Sequence, residues 1–302
     1  MKQTFKIILL FFGMMAGLQA EACEICGCGV GSYYYGILPQ FHRNFAGIRY
    51  RFRNYNSHVG SFFQTNETYQ TTEIWARFYP SRKLQLMAFI PYNFNVKTEA
   101  GVTQKLNGLS DMALLANYTL YATPQDSMPH TFRHNLMIGG GVKLPTGSYK
   151  YEESDLVNVA NPNFQLGTGS TDFIASLIYT IRHKKWGVNA DMTYKMNTQN
   201  KNQYQFGNRL NAAMSLFYLQ KIGRIGLMPN AGLTAEISAE DKKSSKEVIN
   251  TGGYLTMATI GTEIYFGKIS TGVNFQNPLS QHLADGNIRA NARGMVHLTV
   301  MF

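Results

Sequence analysis

Apolar and polar residues alternate one by one along most of this chain. From Asn291 to Phe302, Ala292, Val296, Leu298, Val300 and Phe302 share one side, while Asn291, Arg293, His297 and Thr299 take the other. A period of two belongs to a strand, where successive Cβ atoms point to opposite faces of the pleat. Residues 208–220 repeat the pattern, with Leu210, Ala212, Met214, Leu216 and Tyr218 opposite Arg209, Asn211 and Ser215. So do residues 186–196, with Trp186, Val188, Ala190, Met192 and Tyr194 opposite Asn189, Asp191, Thr193 and Lys195.

The pattern predicts twelve strands, near residues 45–55, 70–80, 84–94, 109–121, 133–144, 171–182, 186–196, 208–220, 226–238, 253–266, 269–277 and 290–302. Long polar connections at 56–69, 95–108, 145–170, 197–207, 239–252 and 278–289 alternate with mostly short turns such as Ser81-Arg82-Lys83, His183-Lys184-Lys185 and Gly267-Lys268. An even strand number with alternating long and short connections predicts an all-β fold: a closed antiparallel transmembrane β-barrel over residues 45–302. Short turns face the periplasm in bacterial outer-membrane barrels, which places both termini there. Closure also explains how so many apolar-faced strands coexist without an aggregating edge. A soluble sandwich would turn its apolar faces inward, whereas Tyr50, Tyr92, Tyr118, Tyr179 and Tyr194 near strand ends suit interfacial girdles.

Composition adds compartment. Of 302 residues 44% are hydrophobic, yet the only continuous apolar run lies at about 7–18, behind Lys2 and Lys6. It is shorter than the roughly 20 residues of a spanning helix and ends in small residues, so residues 1–20 are predicted to be a secretory signal peptide, with cleavage after Ala20 or Ala22. The formal net charge of +10 would invite nucleic acid, but export removes that partner and no basic run appears. Outer-membrane lipid, anionic lipopolysaccharide or an acidic solute suits the charge better.

Residues 21–44 lack strand alternation and hold every cysteine of the chain: Cys23, Cys26 and Cys28. The segment is expected to be a plug or a periplasmic ornament. Three thiolates this close can converge on copper or zinc, with His42 as a fourth ligand. The spacing lacks the second Cys-x-x-Cys of a structural zinc site, and an oxidising compartment equally allows a disulfide between two of the three. Acylation of Cys23 is a further alternative.

With the apolar faces toward lipid, the opposite faces line a lumen. The first strand then aims Arg49, Arg51 and Arg53 inward in one row, an anion-attracting surface. Glu73, Asp111, Asp172, Asp191, Glu236 and Glu263 are expected to face them, with Arg77, Lys143, Lys195, Arg209 and Arg293 adding positive charge. Such a set can be a cross-lumen ion-pair network that stiffens the barrel or a filter for a solute. Met87, Met137, Met228, Met257 and Met295 also face inward, as gap fillers or as a path for a soft metal ion.

The stretches Cys23–Gly29, Gly36–Arg53 and Gly139–Tyr149, with the strand openings Gly108-Leu109-Ser110-Asp111 and Gly169-Ser170-Thr171-Asp172, resemble Bacteroidetes outer-membrane barrels of the MetA-pathway (phenol-degradation) transporter family. Phe302 resembles the aromatic end of the signal read by the barrel-assembly machinery. The resemblance implies an outer-membrane pore or transporter for a small solute, with a transition-metal ion or its complex as the sharper variant. No catalytic residue is expected, because no serine and histidine pair on an outward face. The alternatives are an outer-membrane phospholipase or acyltransferase, and a docking barrel whose outer loops bind a partner.

Overall fold

A computed structural model describes residues 42–57, 64–124, 132–150 and 164–302. Fifteen hydrogen-bonded segments run as twelve antiparallel strands, because three strands carry a short break. The first half comprises β1 (Phe45–Ser57), β2 (Thr65–Phe78), β3 (Leu84–Glu99), β4 (Val102–Leu109 and Met112–Ala122), β5 (Arg133–Leu144) and β6 (Asp172–His183). The second comprises β7 (Trp186–Met196), β8 (Arg209–Tyr218, resuming at Gln220–Ile222), β9 (Ile225–Ser238), β10 (Gly253–Phe266), β11 (Ile269–Leu283) and β12 (Ile288–Ala290 and Arg293–Met301). Each strand pairs with its neighbours in sequence, and β1 pairs with β12 from Phe45↔Met301 to Phe52↔Gly294, closing the barrel.

Closure satisfies the backbone within the ring, which is what a chain crossing hydrocarbon requires. Register also continues the apolar belt across the seam, where Leu298 lies beside Ile48, Ile48 beside Ile74, and Ile74 beside Ile90. These side chains are exposed, while Arg49, Glu73 and His297 next to them in the chain are buried inside. Aromatic residues ring both ends of the belt. Tyr118, Tyr179 and Trp186 mark the end where strands join by tight turns, and Tyr92, Tyr194 and Tyr254 the end with long connections. Amphipathic rings at those two levels match the two water–lipid boundaries.

The turn end uses two-residue hairpins at Lys184-Lys185, Gly223-Arg224 and Gly267-Lys268, each opening on a residue of positive φ. Five stretches expected to be connections are partly strand, three of them as extensions of the barrel ladder. Residues 95–108 are a hairpin in which β3 and β4 run on to Glu99↔Val102 around Ala100-Gly101, both with positive φ. Beyond the lipid neither face must be apolar, so the alternation that marks a strand fades while the ladder continues. The same holds for Thr65–Tyr69 at the start of β2 and residues 278–283 at the end of β11. At this loop end, Tyr204–Gln205, Lys242–Lys243 and Lys246–Glu247 form a small sheet of their own. Asp241, fully buried, holds it by accepting hydrogen bonds from the Tyr204 hydroxyl (2.5 Å) and the Gly207 N–H (2.7 Å).

Candidate functional site

Inward-facing side chains form layers along the lumen. In the middle, Arg49 and Glu73 are direct cross-strand neighbours on β1 and β2. Arg49 donates to Glu73 through Nε at 2.9 Å and through a second guanidinium nitrogen, and Arg51 reaches the other carboxylate oxygen at 2.9 Å. The Arg49 guanidinium also stacks 4.7 Å over the Trp75 ring. Arg53 is buried one turn of the pleat further along the row. Across the seam Arg293 forks onto Glu236 at 2.6 and 3.2 Å and donates to the Tyr55 hydroxyl at 2.7 Å. A two-pronged contact of this kind fixes both partners, since guanidinium and carboxylate geometries match.

Toward the loop end the charges are lysine and aspartate. Lys143 Nζ lies 2.6 Å from Asp111 and 2.9 Å from Asp172, and Lys195 stands 3.8 Å from Asp172. Asp111 accepts further bonds from the backbone N–H groups of Gly147 (3.0 Å) and Thr168 (2.9 Å), and Asp172 from the Ser170 hydroxyl (2.8 Å) and the Thr198 N–H (3.1 Å). Both aspartates therefore do more than open a strand: Asp111 clips the two described ends of the β5–β6 connection inside the barrel, and Asp172 ties its far end to the start of the β7–β8 connection.

The clipped connection carries Phe164 to the wall formed by β1, β2 and β10. Its ring lies 6.2 Å from Tyr69 on β2, which in turn meets Tyr55 at 5.9 Å. Leu255, Met257 and Ile288 join this buried apolar layer. Asn95, paired in register with Tyr69, is fully buried, and neither its amide N–H nor its carbonyl oxygen has a hydrogen-bond partner among the described residues. Tyr55, Tyr69 and Phe164 were not among the expected lumen residues. The inward phase of Thr65, Glu67, Tyr69, Thr71 and Glu73 would have found Tyr69 once β2 was begun at Thr65, whereas Phe164 stands in a polar stretch with no period.

Nearer the turn end a second apolar layer gathers Phe45, Trp75, Phe89, Leu115, Met137 and Ile178. The inward methionines divide among clusters: Met87 and Met137 here, Met257 in the outer layer, Met228 against Phe217. They form no continuous row, which fits gap filling better than a metal path. Met295 is buried beside Arg51. His297 Nε2 lies 2.8 Å from Glu263, and Gly272 leaves room for the tips of both side chains, which a Cβ there would push aside. Arg77 stacks 4.8 Å over Phe45 and donates to the Arg43 carbonyl at 3.2 Å. Asp191 accepts from Asn189 at 3.3 Å, and Arg209 faces inward opposite Lys195.

At the turn end the lumen opens into a cavity of about 820 Å³ lined by Arg82, Thr119, Arg133, Asn135, Thr180 and Arg182 among others. His42 also borders it and stacks on Tyr79 with ring centres 5.2 Å apart. Cys23, Cys26 and Cys28, with the signal segment and the rest of the proposed plug, lie outside the described residues. Among the described residues no group of three or more His, Cys, Asp or Glu converges as a metal site.

A sequence model of the family described as "Putative MetA-pathway of phenol degradation" matches residues 51–278, most of the barrel. The chain belongs to that family. Its fold is shared by an outer membrane channel from Pseudomonas putida F1, with a TM-score of 0.63 at 15% identity over 89% of this chain and 98% of that one. The β domain of the Bordetella autotransporter BrkA is also similar, with a TM-score of 0.55 at 10% identity over 86% of this chain and 100% of that one. At these identities the likeness is one of fold. No curated protein matches the chain in sequence. This member of the MetA-pathway family is thus a transmembrane barrel of the outer-membrane type, and its inner face is where its function must be sought.

Proposed function

We propose that the protein is a channel of the bacterial outer membrane for a small, largely apolar organic solute bearing one or two polar groups, with its loop end outward and both termini periplasmic. One observation carries this reading: Phe164 is folded into the lumen onto Tyr69, beside the Asn95 amide, which has no hydrogen-bond partner among the described residues. An apolar surface with a few convergent polar groups is the usual form of a small-molecule site, and ring faces favour planar apolar ligands. A solute arriving from outside would leave water against Tyr55, Tyr69 and Phe164. It would exchange a hydroxyl or carbonyl contact with Asn95, then pass the arginine row. The similar Pseudomonas barrel is itself an outer membrane channel. The position of Phe164 follows from the Asp111 and Lys143 contacts that tie its connection to the wall.

Single barrels in planar bilayers test the reading. 4-Nitrophenol added at the loop end should interrupt the ion current, glucose should not, and Phe164→Ala should raise the open current while weakening the block about tenfold through loss of one aromatic contact surface. Equal block by glucose and 4-nitrophenol, or a Phe164→Ala barrel with unchanged current and block, would overturn it.

A further inference from the structure

The cavity at the turn end has a charge arrangement found nowhere else among the described parts of the lumen. Arg133 on β5 and Arg182 on β6 are direct cross-strand partners and both point inward. Like charges placed opposite each other destabilise a ladder. Elsewhere the barrel answers such crowding with carboxylates, as Glu73 does for Arg49 and Arg51 and Glu236 for Arg293. No Asp or Glu is among the described residues lining this cavity, and Arg82 adds a third guanidinium from the β2–β3 turn. Asn135 points into the same space from β5. It is more than nine-tenths buried, and both ends of its amide lack a hydrogen-bond partner among the described residues.

We propose that the turn end holds a binding site for a small oxyanion, a carboxylate or phosphate group, taken between Arg133 and Arg182, with the Asn135 amide donating from the wall and Arg82 closing the open side. Opposed guanidiniums suit such a ligand, because each offers a planar fork of donors to two oxygens and the anion removes the repulsion between them. The cavity, about 820 Å³, accommodates an organic anion whose carbon skeleton rests on the remaining wall. Whichever solute crosses the loop end, the site stands on its own residues.

The full-length barrel in neutral detergent at low ionic strength is titrated calorimetrically with hexanoate and with inorganic phosphate, using hexan-1-ol as the uncharged comparison. Hexanoate should bind, hexan-1-ol should not compete, and Arg133→Gln and Arg182→Gln should each weaken binding about tenfold, the loss expected for one charged hydrogen bond. Folding of the variants is read separately from the mobility of unheated protein on a gel. Removing one of two repelling charges should raise their unfolding temperature without ligand and remove the rise that hexanoate gives the parent. Nanodiscs separate two sources of the anion: displacement of hexanoate in phosphatidylglycerol but not in phosphatidylcholine assigns the site to a lipid headgroup, and equal binding in both assigns it to a free solute. Unchanged affinity in folded Arg133→Gln and Arg182→Gln barrels, or equal competition by hexan-1-ol, would sink the proposal.

Discussion

At the loop end two aspartates, Asp111 and Asp172, meet two lysines, Lys143 and Lys195; along β1 three arginines, Arg49, Arg51 and Arg53, run beside Glu73. The first set pairs two aspartates with two lysines and is bonded into the backbone N–H groups of Gly147 and Thr168 in the connection it restrains and of Thr198 beyond β7. In the second, one carboxylate is shared between two direct partners and acted on by the third arginine, which Glu236 also reaches. Buried charge is costly unless it is matched, so the first set behaves as a clamp. The second set brings three guanidiniums side by side along one strand, and low-dielectric walls would concentrate their field on a passing solute. On the proposed channel reading, the same kinds of ion pair would serve position at one level and selection at the next.

The largest effect should come from breaking the clamp. Lys143→Met leaves Asp111 without its cation and should cost about 3–5 kcal/mol, the usual penalty for uncovering one partner of a buried pair. The readout is the urea midpoint followed by tryptophan fluorescence, with noisier channel current as the connection loosens. A midpoint within error of the parent would mean that the cluster holds nothing. Glu73→Gln should cost less, about 2–3 kcal/mol, because Arg49 keeps its place over Trp75. It should also move the reversal potential in a salt gradient further toward anions. Arg51→Gln is expected to be mildest in stability, about 1–2 kcal/mol, since Glu73 retains Arg49. It should shift the reversal potential in the opposite direction. If Arg51→Gln leaves the reversal potential where it was, the row is structural too and the contrast between the two levels dissolves.

The barrel itself was legible because lipid imposes a rule on every membrane-facing position. Ile48, Ile74 and Leu298 had to be apolar and their chain neighbours were free to be Arg49, Glu73 and His297, so alternation exposed strand, face and row together. The rule lapses above the lipid. Residues 95–108 pair in a regular ladder, yet polar side chains on both faces left no period to read. The outer layer was hidden for a different reason. Phe164 reaches Tyr69 through a connection whose path depends on Asp111 and Lys143, residues far from it in sequence and assembled only when the ring has formed. Arg133 and Arg182 were visible as residues, but their direct opposition depends on the β5–β6 register. That register in turn depends on a connection too long to count through.

The seam between β1 and β12 has a consequence in time. Its ladder joins Phe45 to Met301, so the contacts that complete the cylinder are among the most distant in sequence that the chain makes. Eleven neighbouring pairings can form as successive hairpins grow, but the final one must wait for the last strand to be delivered. Long-range pairing of this kind carries the greatest entropic delay. Until that clasp is made β1 presents an unpaired edge, and Arg49, which the finished wall hides completely, borders open surroundings. Polar rows that a closed barrel tolerates become a reason for an unclosed one to stay in water, so closure of this single ladder and entry into lipid are coupled.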